Sequence, residues 1–169
     1  MKSKLMPTIV LSCICIIVAL LLAAVNMITA PIIAQLQYEK EQATLAKVYP
    51  EGESFVEISI DGLPSTVTKA YTEKNGGFVF QITETGYKSG LVIMCGISPD
   101  GKITGADFIK SSETLEAEKG LGDSYIGQTL NSFEPVLTSG ATKTTNAYAN
   151  AVKTALESFA IIAEKEANQ

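Results

Sequence analysis

The sequence predicts an α+β protein in which an N-terminal transmembrane helix precedes an antiparallel sheet and a C-terminal helix. Three observations lead to this prediction. A run without charged residues extends from Leu5 to Tyr38, stretches of strand length alternate with turn signals over residues 55–109, and apolar residues recur at helical spacing over residues 147–162. The chain of 169 residues is long enough for a membrane anchor and one domain.

The N-terminal run predicts an uncleaved membrane anchor. Its strongly apolar core, from Ile9 to Ile33, exceeds the roughly 20 residues that a membrane-spanning helix needs. A cleaved secretory signal is the alternative, but its apolar region would be about 7–15 residues long and would end at a better cleavage site than residues 26–31 provide. Because Lys2 and Lys4 precede the run, we expect a single-pass protein of the cell (inner) membrane with a cytoplasmic N-terminus.

The rest of the chain divides by composition into a short stalk and one domain. We expect residues 1–34 to form the cytoplasmic start and the transmembrane helix, residues 35–50 a juxtamembrane helical stalk, and residues 51–169 an extracytoplasmic domain. The turn signals Asn75-Gly76-Gly77 and Ser98-Pro99-Asp100-Gly101 separate strands of the domain. The predicted strands cover residues 55–60, 67–71, 77–82, 91–97 and 103–109.

The composition excludes several classes of function. A net charge of −5 and the absence of arginine argue against a nucleic-acid partner, because phosphate-backbone binding needs a basic surface. The absence of histidine removes the commonest general base and metal ligand, and no convincing nucleophile and base pair supports a hydrolase. Cys13, Cys15 and Cys95 are too few and too scattered for an iron–sulfur site, and we expect them to act as small hydrophobic residues.

One polar segment, Thr138 to Thr145, has the composition of a helix N-terminus that can bind an anion. Serine and threonine hydroxyls accept hydrogen bonds from the free amides of a first helical turn. The same amides, with the positive end of the helix dipole, attract phosphate. On these residues alone, a capped helix without any ligand is favoured over a phosphate site.

The sequence Ser139-Gly140-Ala141-Thr142, followed by Lys143 and Thr144, resembles the flavinylation motif of the FMN-binding domain family. The family includes the G subunit of the Rnf ion-translocating electron-transport complex and the C subunit of the sodium-translocating NADH:quinone reductase. The resemblance implies that a flavin transferase attaches FMN covalently to Thr142 through a phosphoester bond. It also implies that Ser139, Gly140 and Ala141 surround the attachment point and that the hydroxyls of Thr144 and Thr145 bind the phosphate. The family often has Asp three residues before the Ser, where this chain has Val136.

A second resemblance concerns the predicted ring-binding loop. Glu113-Thr114 and Gly120-Leu121-Gly122 are similar to the two halves of the family's Glu-Thr-Pro-Gly-Leu-Gly signature, here without the Pro and split by residues 115–119. In the family this loop lies over the flavin ring. Glycines also let backbone amides approach a planar ligand, although a short glycine motif alone is more typical of a surface turn.

The resemblance implies an electron-carrier subunit with covalent FMN in a membrane-bound Rnf-type complex. Such a complex couples electron transfer between ferredoxin and NAD to sodium or proton translocation. The partners implied are the lipid bilayer, the other membrane subunits and the flavin transferase, and no turnover is expected from the subunit alone. The short chain favours the G subunit over the C subunit of the quinone reductase. The alternatives are a standalone flavin-carrying reductase component and a membrane-anchored, non-redox binding or sensor domain on the same scaffold.

Overall fold

A computed structural model describes residues 2–87, 89–111 and 120–167 of the protein and confirms the α+β architecture. One long helix precedes a five-stranded antiparallel sheet, and a second helix ends the described chain. The elements are α1 (Lys2–Val48), β1 (Phe55–Ile58), β2 (Val67–Glu73), β3 (Phe78–Thr85), β4 (Ser89–Ile97), β5 (Ile103–Lys110) and α2 (Thr142–Ala167). Two short 3₁₀ turns, Gly122–Tyr125 and Leu130–Ser132, lie between β5 and α2.

Helix α1 is long and apolar enough to cross a membrane. Its most apolar window of 18 residues has a mean hydropathy of 3.0 and is not buried by other parts of the protein. The helix ends at Val48, two residues before Pro50, as the Pro-containing stop signal predicts. Contacts divide the chain into two units, Met1–Lys40 and Glu41–Gln169, so the last turns of α1 belong to the same unit as the sheet.

The sheet is a simple meander in which each strand pairs with the next, in the order β1-β2-β3-β4-β5. Each predicted strand is present, with ends that differ by a few residues from the sequence pattern. Both predicted turns use a glycine with positive φ, Gly76 at +93° and Gly101 at +78°. The short connections explain why the local pattern was sufficient to predict the topology, because antiparallel neighbours need only a few linking residues.

Helix α2 covers one face of the sheet with its apolar stripe. Tyr148, Val152, Ala155 and Leu156 are at most 1% exposed, which confirms that the predicted stripe faces the core. They pack in one cluster with side chains from the sheet, including Phe80, Ile82, Leu91, Ile93, Cys95 and Ile97. Burial raises the pKa of the Cys95 thiol to about 12, as expected for a cysteine that serves as a small core residue.

The end of α1 packs on the opposite face of the same sheet. Leu45 and Val48 are each 1% exposed and belong to a second core cluster with Tyr71, Val79 and Met94. These last turns of α1 are therefore packed on the sheet. The sheet is therefore covered by helical residues on both faces, within the unit that begins at Glu41.

Polar contacts also hold the end of α1 on the sheet. The carboxylate of Glu41 accepts hydrogen bonds from Lys69 Nζ, at 2.7 and 2.9 Å, and from the hydroxyl of Tyr71. Burial and then this hydrogen bond to Glu41 raise the pKa of Tyr71. In addition, Thr104 Oγ1 donates a hydrogen bond of 2.6 Å to the carbonyl oxygen of Val48, so the helix terminus is held at more than one point.

Candidate functional site

The segment before α2 forms a tight turn that leads directly into the helix. The amide of Ala141 donates to the carbonyl of Thr138 at 3.1 Å, and the amide of Thr145 donates to the carbonyl of Ala141 at 3.0 Å. Gly140 has a φ of +86°, a left-handed conformation that other residues adopt only with strain. Helix α2 begins at Thr142, within the segment that the composition predicts to be a helix N-terminus.

Thr142 is the first residue of α2, and its side chain is exposed. Neither its hydroxyl nor that of the exposed Ser139 has a hydrogen-bond partner among the described residues. Ala141 is half-buried, and nothing lies within 4 Å of the position that a Cβ on Gly140 would occupy. The hydroxyl of Thr142 is therefore accessible to a modifying enzyme.

The two following threonines point into the protein instead. Thr144 is 4% exposed and Thr145 is fully buried. The hydroxyl of Thr145 accepts the amide hydrogen of Thr138 at 3.3 Å and lies 3.2 Å from the carbonyl oxygen of Ala141, to which it can donate. The Thr145 side chain therefore connects the turn to the first turn of α2 and holds Thr142 in position.

The N-terminal end of α2 is electrostatically suited to an anion. Its first turn contains no acidic residue but does contain the exposed Lys143. Lys143 Nζ lies 5.8 Å from the centroid of the Tyr87 ring, which comes from the connection between β3 and β4. Helices are usually stabilised by Asp or Glu at this end, because the helix dipole is positive there. A lysine in that place leaves the free amides and the positive charge available for a phosphate group.

The Gly120-Leu121-Gly122 loop packs against β5. Gly120 has a φ of +70°, and Leu121 is 5% exposed and belongs to the core cluster. A Cβ on Gly122 would overlap the carbonyl oxygen of Ala106, so only glycine allows the backbone to come this close to the strand. The other half of the predicted ring-binding signature, Glu113 and Thr114, lies outside the described residues.

Three aromatic rings pack together next to Gly122. The Tyr148 ring lies 4.8 Å from the Phe108 ring and 5.7 Å from the Tyr125 ring, measured between centroids. Tyr125 Oη accepts a hydrogen bond of 2.9 Å from the amide of Val136. Tyr148 Oη is buried and has no partner among the described residues. Tyr148 lies in the apolar stripe predicted over residues 147–162, although a tyrosine at a core position signals a hydroxyl that needs a partner.

A surface groove of about 410 Å³ lies on another part of α2. Asn146, Asn150 and Lys153 line it from the helix, and Leu130, Phe133 and Pro135 line it from the preceding segment. Asn146 follows Thr142 by four residues, which places the two on one side of the helix. Nothing in the sequence pattern indicated this groove, since it forms between segments that have no shared motif.

These features fit FMN better than they fit a metal. Within the described ranges no group of three or more His, Cys, Asp or Glu side chains could hold a metal ion. An accessible threonine at a positive helix end suits a phosphoester.

Comparison with known proteins agrees with this interpretation. Residues 86–157 match the family model of the FMN-binding domain, a range that includes β4, β5, the Gly-Leu-Gly loop and the first turns of α2. The chain is also 26% identical over 162 aligned positions to the G subunit of the proton-translocating ferredoxin:NAD(+) oxidoreductase complex of Clostridium ljungdahlii. That alignment covers 85% of this chain and 84% of the relative, so the similarity extends well beyond the attachment motif.

Proposed function

This chain contains a domain of the FMN-binding family, and on that premise we propose that it is a flavin-carrying electron-transfer subunit of an Rnf-type membrane complex. The observation that carries the proposal is the exposed hydroxyl of Thr142 at the positive end of α2, inside the matched domain. The similarity to a relative from such a complex over most of both chains supports the same role.

We further propose that FMN is bound covalently, through a phosphoester bond to Thr142. The phosphate would be held by the free amides at the start of α2, with Ser139, Gly140 and Ala141 around it and Lys143 supplying a positive charge. Thr144 and Thr145 remain candidates for phosphate contacts. The bonds that Thr145 makes within the turn give it a second role, which is to fix the attachment point.

The proposed ring contacts are Glu113, Thr114, Gly120, Leu121 and Gly122. Bound FMN supplies the redox chemistry, which is the reversible uptake of electrons by its ring system. The protein contributes attachment, orientation and the electrostatic surroundings of the ring. The close approach of Gly122 to β5 fixes one side of this loop on the sheet.

The structure accounts for Val136 at the position where the family often has Asp. The Val136 side chain is half-buried and packs against the core cluster, and its amide donates to Tyr125 Oη. A valine here therefore contributes to folding, while a carboxylate at the same place would be partly desolvated. We propose that the flavin transferase recognises this chain through residues 139–144 without that Asp.

We propose that α1 anchors the protein with its N-terminus in the cytoplasm and the flavin domain outside. The lysines at positions 2 and 4 support this orientation. The direct partners would be the other membrane subunits of the complex, which couples electron flow between ferredoxin and NAD to the movement of sodium or protons. A covalent bond suits a domain outside the cytoplasm, because a carrier in that compartment could not readily recover a lost cofactor.

The intact mass of the full-length protein, co-expressed with a flavin transferase, tests the attachment. We expect an added mass equal to FMN minus water, located by peptide mapping on Thr142. Thr142→Ala should remove this mass and the yellow fluorescent band on a denaturing gel, whereas the control Thr138→Ala, at an exposed residue outside the recognised segment, should retain both. An unmodified protein, under conditions that flavinylate a known target, would refute the proposal and favour the non-redox binding module.

A further inference from the structure

The groove beside α2 lies on the same side of the helix as Thr142. Its helical residues Asn146, Asn150 and Lys153 follow Thr142 by four, eight and eleven residues, spacings that return to one side of a helix. All four side chains are exposed. Because helical side chains lean toward the N-terminus of their helix, the groove residues lean toward the proposed attachment point. Thr142 and the polar wall of the groove therefore form one continuous row.

The two walls of the groove differ in chemistry. The helix supplies asparagine amides, which both donate and accept hydrogen bonds, and one ammonium group. The preceding segment supplies an apolar wall that includes Phe133, whose ring stacks on Tyr125 with the centroids 5.8 Å apart. The isoalloxazine ring has the same two-sided character, with an apolar benzenoid end and a pyrimidine end that carries carbonyl oxygens and ring nitrogens. The groove and the ring are therefore chemically matched.

The two asparagines have no evident role in folding. Asn146 and Asn150 are exposed, and neither side chain has a hydrogen-bond partner among the described residues. Asparagine also weakens a helix interior relative to Ala, Lys or Glu, because its amide competes with the backbone for hydrogen bonds. Two asparagines one turn apart, on the side of α2 that carries Thr142, therefore indicate a ligand contact.

The size and position of the groove suit a tethered ring. Its volume of about 410 Å³ lies within the range of roughly 300–1,000 Å³ that is usual for ligand sites. Along the helix axis, Asn146 lies about 6 Å and Lys153 about 16 Å from Thr142, so the phosphate and ribityl chain can cover the first turn and the ring the next two. A tether gives an effective concentration on the order of millimolar, so an open groove needs only modest affinity.

The described part of the predicted ring-binding loop offers the ring little surface by comparison. Leu121 is 5% exposed, and Gly122 is buried against the carbonyl oxygen of Ala106. Of the three residues Gly120 to Gly122, only Gly120 is exposed. The ring therefore needs contacts beyond this loop.

We propose that Asn146, Asn150 and Lys153 bind the isoalloxazine ring of FMN in this groove, with the two amides hydrogen-bonded to its polar edge. This inference rests on the proposed attachment of FMN to Thr142. A nearby positive charge stabilises the reduced ring, which carries more negative charge, more than the oxidised ring. Lys153 therefore raises the midpoint potential of the flavin, and Glu157, whose Oε1 lies 3.6 Å from Lys153 Nζ, offsets part of this effect.

The first test measures the midpoint potential and visible absorption of the flavinylated full-length protein, after intact mass has established attachment. Lys153→Met should lower the potential and shift the absorption, and Glu157→Gln should raise the potential. A loss of packing would not reverse the sign between these two variants. Lys165→Met is the matched control, because it removes the same charge from the same helix about 18 Å further along its axis, beyond the screening length of about 10 Å. It should change neither property.

The second test leaves α2 unchanged and uses the absence of tryptophan from the chain. Tryptophan in contact with a flavin quenches its fluorescence by electron transfer. Leu130→Trp, at a side chain that lines the groove and is 41% exposed, should therefore shorten the fluorescence lifetime of the flavin several-fold. The control Ile126→Trp, at a side chain outside the groove that is 54% exposed, should leave the lifetime close to that of the wild type.

Two outcomes would each overturn the inference while leaving the proposed function intact, because the flavin is still attached. One is a flavinylated Lys153→Met protein with the potential and spectrum of the wild type. The other is a lifetime for Leu130→Trp no shorter than that for Ile126→Trp, and this comparison decides where a helix variant is not flavinylated. A wild-type protein without attached flavin would instead refute the proposed function, and this inference with it.

Discussion

Replacing Leu45 with Ala should destabilise the domain strongly, although Leu45 lies in the helix that also forms the membrane anchor. Its side chain is 1% exposed and packs with Val48, Tyr71 and Met94 on one face of the sheet. Truncating a buried leucine removes its transfer free energy and leaves a cavity, which together cost about 2–5 kcal/mol. Since this site is fully enclosed, we expect a cost of about 3 kcal/mol, or a fall in melting temperature of roughly 10 °C.

The assay is thermal unfolding of the full-length protein in detergent, followed by the circular dichroism of the sheet and by the near-ultraviolet signal of the tyrosines. Leu36→Ala is the matched control, because it makes the same substitution in the same helix at a side chain that is 59% exposed. The control should change the melting temperature by only a degree or two, since surface substitutions usually stay within about 0.5 kcal/mol. If the two variants lose the same stability, the last turns of α1 are not part of the cooperative unit, and the reasoning from burial is wrong.

Two further predictions concern the loop at Gly122 and the response to alkaline pH. Gly122→Ala should lower the free energy of unfolding by more than about 3 kcal/mol, since the new Cβ overlaps a carbonyl held in the sheet. The control is Gly127→Ala, at a φ of +83° with open space around it. It should lower the free energy of unfolding by only about 1–2 kcal/mol, from backbone strain. Urea unfolding of both variants measures the difference. Equal losses of stability would show that strand β5 moves to make room for the Cβ. In the folded state, burial raises the pKa values of four groups, Cys95, Tyr71, Tyr125 and Tyr148. Their contribution to the free energy of unfolding is therefore complete below their unfolded pKa values, near 9 for Cys and 10 for Tyr. This contribution is lost as the pH rises further. The melting temperature should therefore fall between pH 9 and pH 11, as titration from pH 7 would show, and Tyr71→Phe should reduce this dependence; a flat profile would contradict the assigned burial.

The sequence alone was sufficient to predict the order and type of the elements. The uncharged run predicted α1, the turn signals at Gly76 and Gly101 predicted the hairpins, and the apolar stripe predicted which face of α2 packs on the sheet. These features depend on residues that are close in the chain, and local periodicity and turn chemistry report such relations directly. The proposal that Thr142 is the attachment residue likewise comes from a short contiguous motif, and the structure locates this threonine at the exposed start of a helix.

Only the tertiary structure could show which polar and apolar groups meet across long distances in the chain. The sequence predicts a stalk over residues 35–50, because apolar side chains are few there. In the structure, Leu45 and Val48 complete a core with strands that follow much later in the chain. Similarly, the pattern around Tyr148 is that of an ordinary apolar stripe. Only the packing of α2 on β5 shows that its hydroxyl is buried next to Gly122, without a partner among the described residues. Burial and hydrogen-bond partners are properties of the assembled fold, because a side chain's neighbours are set by packing between segments and not by its own local sequence.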